Sequence, residues 1–265
     1  MSEKARKELN IEQGQTAKAL TKNFSSGLRQ LWQDMRFTFT NISHTPRATL
    51  ARMDYEDYWR VRGHHSFQPR YRIIAELIEP GSSVLDVGCG DGWLLEHLIQ
   101  TRNVTGFGID ISPEAVRMAR KRGVPAEVGD VLTWQPDKEY EYVILSEVLE
   151  HLPNPEEVIN KVRCCFRQAI IASIPNIGYY PHRLRLLLGR FPIQWSLHPA
   201  EHLRFWTMVD FSDWIRTFDL EVEAVHSSDG FLVLHRYWPN LFGNQIVFVI
   251  TRTASAVHSN KTSQD

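Results

Sequence analysis

Val84-Leu85-Asp86-Val87-Gly88-Cys89-Gly90-Asp91-Gly92 is the stretch on which the reading of this chain turns. A short apolar run ends in three glycines spaced two apart, as expected where a buried strand stops and the backbone turns tightly beside a ligand. Working outward, strand and helix patterns alternate. Gly106 to Ile109 reads as a second strand, Ala126 to Val128 as a third, Tyr142 to Leu145 as a fourth and Ala169 to Ile174 as a fifth. Between them, Trp93 to Ile99 reads as a helix. Ser112-Pro113-Glu114 opens another, with Ser at the N-cap and Pro at N1, and Gly123 closes it. Asn154-Pro155-Glu156-Glu157 opens a third, with Asn at the N-cap and Glu157 at N3. This alternation predicts an α/β fold, a doubly wound, mostly parallel sheet with right-handed crossovers. Phe211, Trp214, Ile215 and Phe218 mark a later helix. Leu220 to Val225 and Ile246 to Ile250 follow as two strands that pair antiparallel at one edge, for seven strands in all.

The glycine spacing and the acids around it select the ligand. A dinucleotide fingerprint is G-x-G-x-x-G, but here the glycines fall at 88, 90 and 92 and position 93 is Trp. Asp86 would repel a pyrophosphate and suits an ammonium. Asp110 ends the second strand 22 residues after Gly88, where a carboxylate can accept two ribose hydroxyls. Gly129-Asp130-Val131 follows the third strand, placing a carboxylate for the adenine amino group and an amide beside the ring. A sulfonium nucleoside with an amino-acid tail, S-adenosylmethionine, fits this set better than a dinucleotide. The cofactor-binding set is Asp86, Gly88, Gly90, Asp110, Ile111, Asp130, Val131 and Ser146.

Over residues 70–175 these features resemble the class I methyltransferase motif pattern, with a Rossmann-like sheet. Further stretches resemble the methionine-biosynthesis protein W (MetW-like) family over 70–252. They are Glu79-Pro80-Gly81-Ser82-Ser83, Ile144-Leu145-Ser146, Ser173-Ile174-Pro175-Asn176, Leu186-Leu187-Leu188-Gly189-Arg190 before Pro192, and Asn240-Leu241-Phe242 with Phe248-Val249. The methyltransferase pattern implies an S-adenosylmethionine-dependent enzyme, its acceptor taken as an oxygen of a small molecule on the further likeness of residues 147–151. The MetW-like resemblance implies as an alternative a cofactor-binding partner of a homoserine acyltransferase.

Glu147-Val148-Leu149-Glu150-His151 departs from the MetW-like pattern. If helical, it places Glu147, Glu150 and His151 on one face. The set resembles small-molecule O-methyltransferases of the ubiquinone-biosynthesis type, and RNA 2′-O-methyltransferases in which such residues and a later His hold a divalent metal. The later candidate here is His202. Two carboxylates and imidazoles suit Mg²⁺ or a softer ion. The same residues also suit metal-free acid–base work, with His151 as general base, His202 second and Glu147 beside them, or a polar helix start lining the cleft. His64 and His65 read as surface or lid residues. Arg183, Arg185 and Arg190 could meet an acidic substrate, but the commoner arrangement has them facing solvent while leucines 184, 186, 187 and 188 pack.

The remainder bounds the protein. At 265 residues and 43% hydrophobic it can bury a large core, and a net charge of −1 recruits neither nucleic acid nor anionic membrane globally. Cys89, Cys164 and Cys165 form no CxxC pair, which argues against a thiolate zinc site and for reduced thiols in the cytoplasm. No run of about 18 apolar residues occurs. Residues 1–19 and 253–265 read as disordered tails, and 20–69 as a helical arm or lid. The methyltransferase domain spans 70–252, with a substrate-side insertion at 177–206 capping the cleft. Leu20, Phe24, Leu28, Leu31, Trp32 and Met35 fall at helical spacing. That helix, 20–36, either packs on the domain or meets a membrane surface or a protein partner.

Overall fold

In the computed structural model, described over residues 27–136 and 138–253, the chain divides into a unit ending at His44 and a second from Thr45 onward. The two sequence-predicted disordered tails lie outside the described residues, apart from Thr253, whose N–H donates to the Asp219 carbonyl. The first unit shows helix α1 over 27–43, longer at its C-terminal end than the hydrophobic spacing predicts. Its Arg36 guanidinium stands over the Trp32 ring, 5.5 Å from the centroid.

The second unit begins with α2 (Tyr55–Arg62) and α3 (Pro69–Leu77). There follow β1 (Ser83–Val87), α4 (Trp93–Arg102), β2 (Thr105–Asp110), α5 (Pro113–Lys121), β3 (Ala126–Val128) and β4 (Tyr140–Ser146). A single 3-10 turn (Leu149–His151) leads into α6 (Pro155–Val162) and β5 (Phe166–Pro175). Last come α7 (Tyr180–Leu187), α8 (Met208–Arg216), β6 (Leu220–Gly230), two one-turn helices α9 (Leu234–Tyr237) and α10 (Pro239–Phe242), and β7 (Gly243–Arg252).

The strands form one seven-stranded sheet in the order β3-β2-β1-β4-β5-β7-β6. Every pair from β3 to β5 is parallel, and β7 runs antiparallel to both β5 and β6. This is the doubly wound arrangement the alternation predicts, with the late hairpin at the expected edge. Strand order reverses between β1 and β4, so the crevice for a ligand opens at their carboxyl ends.

Local sequence explains most element ends. Ser112 caps α5, its hydroxyl accepting from the Ala115 N–H at 3.3 Å, a bond type worth about 1 kcal/mol. Asn154 occupies the N-cap of α6, but its side chain does not cap as the capping-box reading predicts. Its amide donates instead to the Glu157 carboxylate at 3.1 Å. Two apolar clusters sandwich the sheet. One holds Phe211 and Phe248, whose rings lie 4.5 Å apart, and the other holds Ile74, Leu95 and Ile144. Truncating a ring such as Phe248 to Ala would cost about 3–5 kcal/mol.

One packing expectation is reversed. In and after α7 the leucines face solvent, Leu187 being 81% exposed, while Arg185 is 3% exposed. The reason is polar satisfaction. Arg185 Nε donates to the Phe191 carbonyl at 2.9 Å, closing the turn after the helix.

Candidate functional site

The crevice is built first by the glycine loop. Gly88 and Gly90 both take positive φ, and a Cβ on either would collide with a neighbouring side chain. At Gly88 it would meet Val148 at 2.5 Å, and at Gly90 the Trp59 ring at 2.6 Å. The backbone therefore passes close under α2 and the β4 loop only because these side chains are absent.

Asp86, one residue before the end of β1, pairs with Gly108, two residues before Asp110 at the end of β2, and both acids are almost fully buried. Each oxygen of Asp110 accepts one backbone N–H, from Gly90 at 2.9 Å and from Ser112 at 2.9 Å. Burial still raises its pKa, with those two bonds pulling against the rise. Asp86 is pushed up to about 8, first by burial and then by the Asp110 charge beside it. A cation arriving there would restore the ionised form. Ile111 is exposed directly after Asp110. Asp130 follows β3, its carboxylate accepting from the Leu132 N–H at 2.9 Å, and Val131 is half-buried next to it.

Ser146 ends β4 and accepts from the Arg70 Nε at 3.2 Å. Arg70 is a buried cation from α3, also donating to the Gln245 side chain at 3.1 Å. Sequence reading missed it because nothing local distinguishes one arginine of α3 from another. Helix α2 lies within the stretch 20–69 that reads as a helical arm or lid. Glu56 of that helix accepts from the Ser112 hydroxyl and the Glu114 N–H, which seats α2 over the start of α5. Tyr55, one residue earlier, carries a hydroxyl whose pKa is raised by burial and by the charges of Glu150, Asp110 and Glu201. Asp91 is fully buried, holding the His65 N–H at 2.9 Å and Arg122 at 2.9 Å. His64 is exposed, whereas His65 is half-buried against Trp59, its pKa lowered to about 4 chiefly by burial.

The segment after β4 is not the helix its spacing suggests. Glu147 sits in the left-handed region at φ 57°, and only Leu149–His151 forms a turn. Glu147 therefore leaves the shared face. It accepts from the Ser173 hydroxyl at 3.0 Å and the Gln245 amide at 2.9 Å, toward β5 and β7. The strand-to-turn reversal needs one positive φ, and this rotates Glu147 away from its expected neighbours.

Glu150, His151 and His202 do come together. One ligand-capable atom from each lies within 4.8 Å of the others. The Glu150 backbone carbonyl accepts from the Leu203 and Arg204 N–H groups, at 2.7 and 3.1 Å, which brings His202 to the turn. The His151 and His202 rings stand edge to face, 4.8 Å apart. His151 Nδ1 lies 2.5 Å from the Glu201 carbonyl. A carbonyl only accepts, so Nδ1 carries the proton and Nε2 of the neutral ring keeps its lone pair. Glu201 is fixed in turn, its carboxylate accepting from the N–H groups of Ser196, Leu197 and His198. Glu150 is 1% exposed and neither of its carboxylate oxygens has a partner among the described residues. Burial, then the Glu147 charge, raises its pKa well above the usual range. Burial lowers the pKa of His151, and takes that of His202 down to about 3.

With this geometry in hand, likeness to known proteins is informative. The sequence model of the family described as methionine biosynthesis protein MetW matches residues 68–250. Among curated relatives, the bifunctional methionine biosynthesis protein MetXA/MetW of Rhodopirellula baltica is 31% identical over 159 residues, 53% of this chain and 25% of that protein. The ubiquinone biosynthesis O-methyltransferase of Pseudomonas fluorescens is 37% identical over 141 residues, 48% of this chain and 59% of that one. The trans-aconitate 2-methyltransferase of Mycobacterium tuberculosis is 30% identical over 110 residues, 40% of this chain and 41% of that one. The matches thus span between a quarter and three-fifths of these relatives. Among solved structures, magnesium protoporphyrin IX methyltransferase from Synechocystis, with bound S-adenosylhomocysteine, superposes at TM-score 0.54 and 17% identity, covering 75% of this chain and 98% of that one. An S-adenosylmethionine-dependent methyltransferase from Geobacter sulfurreducens superposes at TM-score 0.53 and 14% identity, covering 77% and 100%. These likenesses identify the fold as that of the class I methyltransferases.

Proposed function

The chain belongs to the methionine biosynthesis protein MetW family, and from that premise we propose that it binds S-adenosylmethionine and transfers its methyl group to an oxygen of a small molecule. The observation that carries this is the row of acids at the ends of β1, β2 and β3 beside a glycine loop that no side chain could share. The residues fit the cofactor. Asp86 would take the ammonium, and Asp130 with Val131 the adenine. Asp110 would take the ribose hydroxyls, since each of its oxygens keeps a second lone pair after accepting one N–H. Arg70 would take the carboxylate, which sits on the same carbon as the ammonium, and three of its five N–H donors remain for it. When bound, the sulfonium supplies an electrophilic methyl group.

What the chain itself contributes is position and proton removal. His151 Nε2 is the lone pair at the end of β4 fixed by a second bond on the same ring, so it takes the acceptor's proton. Glu201, through its carbonyl, holds that ring. Tyr55 stands edge to face with the His151 ring, the centroids 6.3 Å apart. With three unpaired cysteines, we place the enzyme in the cytoplasm. Among the described residues no helix is long and apolar enough to cross a membrane. Calorimetric titration with S-adenosylhomocysteine and with NAD tests the cofactor reading: one equivalent of the first and none of the second is expected. Tight NAD binding would overturn it.

A second reading has one observation in its favour, the exposed leucines 186, 187 and 188 after the α7 reversal. They suit a partner protein, and one relative is described as joining MetXA and MetW in one chain. In this reading the chain is a cofactor-binding partner of a homoserine acyltransferase. Cofactor binding without turnover, together with a stable complex on size-exclusion chromatography, would favour it.

A further inference from the structure

We propose that Glu150, His151 and His202 form a binding site for a single divalent cation of the borderline kind, Zn²⁺, Co²⁺, Fe²⁺ or Mn²⁺, rather than Mg²⁺. The first observation is an unmet need. Glu150 is a fully buried carboxylate, and neither oxygen has a partner among the described residues. A buried carboxylate without partners costs several kcal/mol unless something supplies positive charge or donors. His151 Nε2 lies 4.0 Å from Oε1. That nitrogen faces it as a lone pair, because the proton of the ring is held on Nδ1 by the Glu201 carbonyl. So the ring presents an acceptor, and Glu150 can face it either as a protonated acid or, with a cation between the two, as a carboxylate. The cation is what allows the buried group to carry its charge.

The second observation is that His202 repeats the pattern. Its Nδ1 is buried with no partner among the described residues, and the His202 ring belongs to the same cluster. The third is the support behind the ligands. Histidines that bind metals commonly donate their other ring N–H to a backbone carbonyl or carboxylate, which fixes the ring and its tautomer. The His151 bond to Glu201 has that form, and three N–H groups of residues 196–198 clamp Glu201 itself. The Glu150 carbonyl, held by the Leu203 and Arg204 N–H groups, locks the two histidine-bearing segments together.

Two nitrogens and one carboxylate set the preference for the ion. Imidazole donors suit zinc, cobalt, iron and manganese, whereas magnesium selects oxygen ligands in a near-ideal octahedron. Three protein ligands leave at least one position open, as in catalytic rather than structural sites. Ligand atoms about 2.0–2.2 Å from an ion lie about 3–3.5 Å apart. The present separations of up to 4.8 Å therefore close by about an ångström or more when it binds, a side-chain rotation rather than a backbone move. Glu147 is not a ligand, because Ser173 and Gln245 hold it. The catalytic consequence rests on the methyltransferase reading, but the site does not. With the ion in place His151 Nε2 is a ligand and not the base it is in the metal-free chain. An acceptor hydroxyl at the open position is then acidified by the ion and loses its proton to water.

The test uses the full chain, stripped with chelator and titrated with CoCl₂, ZnCl₂ and MgCl₂. One tight equivalent of Co²⁺ is expected, with the visible absorption of a histidine-bound ion. Zn²⁺ should displace it, and Mg²⁺ should bind at least tenfold more weakly. Glu150→Gln and His202→Ala should each weaken Co²⁺ at least tenfold while circular dichroism shows the fold retained, and Glu147→Gln should leave it unchanged. If either variant fails to fold, His151→Gln, at a half-buried ring, carries the same expectation. No tight equivalent, or one that survives these substitutions, overturns the site. S-Adenosylhomocysteine titration of the same samples separates the two readings. Nucleoside binding without metal sinks the site alone, and metal binding without nucleoside sinks the methyltransferase reading alone.

Discussion

At the ends of β1 and β2 the buried acids Asp110 and Asp91 are met by near neighbours, whereas in the turn after β4 Glu150 is left without a partner among the described residues. Asp110 accepts the Gly90 and Ser112 N–H groups, and Asp91 holds Arg122 and the His65 N–H. Glu150 and His202 present buried atoms with no partner, and they meet only because residues 201–204 fold back onto the turn after β4. The first region is a preorganised cradle whose parts lie within about one βαβ unit of sequence. The second is assembled from two loops some fifty residues apart. The cradle suits a ligand of fixed shape. The unmet cluster suits a reacting group or ion, whose charge it has been left to receive.

This contrast can be broken most severely at His151. His151→Gln should lower turnover by about 10²–10⁴-fold, the range for a positioned base, while affinity for S-adenosylhomocysteine stays within twofold. An equal loss in both would mean that the two regions act as one. Next in size, Asp110→Ala should weaken S-adenosylhomocysteine about tenfold to over a hundredfold, because charge-assisted bonds contribute about 1.5–3 kcal/mol each. Calorimetry on the folded variant reads this directly, and unchanged affinity would remove Asp110 from the cradle.

Asp86 sharpens the contrast through pH. Its pKa in the folded chain, about 8, is above the ordinary value, so the folded state holds a proton that the unfolded state has lost. Stability from this group is therefore present at low pH and lost as pH rises from about 4 to 8. Asp86→Asn should raise the melting temperature of the ligand-free protein at pH 8 by a few degrees, with less effect at pH 4. Wild-type affinity for the cofactor ammonium should fall as pH drops below 8, by up to tenfold per unit, and Asp86→Asn should abolish that slope. A flat profile in the wild type would separate Asp86 from the ammonium. The smallest effects lie in α7. Leu187→Ser should change stability by less than about 0.5 kcal/mol, while Arg185→Ala should cost about 1–3 kcal/mol by leaving the Phe191 carbonyl unmet. Chemical denaturation distinguishes the two, and the reverse order would restore the expectation of packed leucines.

The sheet and the strand-end positions of Asp86, Asp110 and Asp130 were legible in the sequence because their signals are local. Glycines at 88 and 90 answer a steric demand of the turn, and apolar runs with a period near two or a continuous core mark the strands. Acids after successive strands need only the strand ends to be placed correctly. Alternation and handedness predict a doubly wound parallel sheet, while the order β3-β2-β1-β4-β5 came from the tertiary structure. Tertiary structure alone decided the rest. Spacing made Glu147, Glu150 and His151 a helical face, but the exit from β4 required a positive φ, and that rotation sent Glu147 to Ser173 and Gln245. Arg70, Tyr55 and Glu201 owe their places to contacts across tens of residues, which no local pattern encodes. Leucines 186–188 were left exposed because Arg185 found a carbonyl to hold, and such a bond exists only once the chain has closed around it.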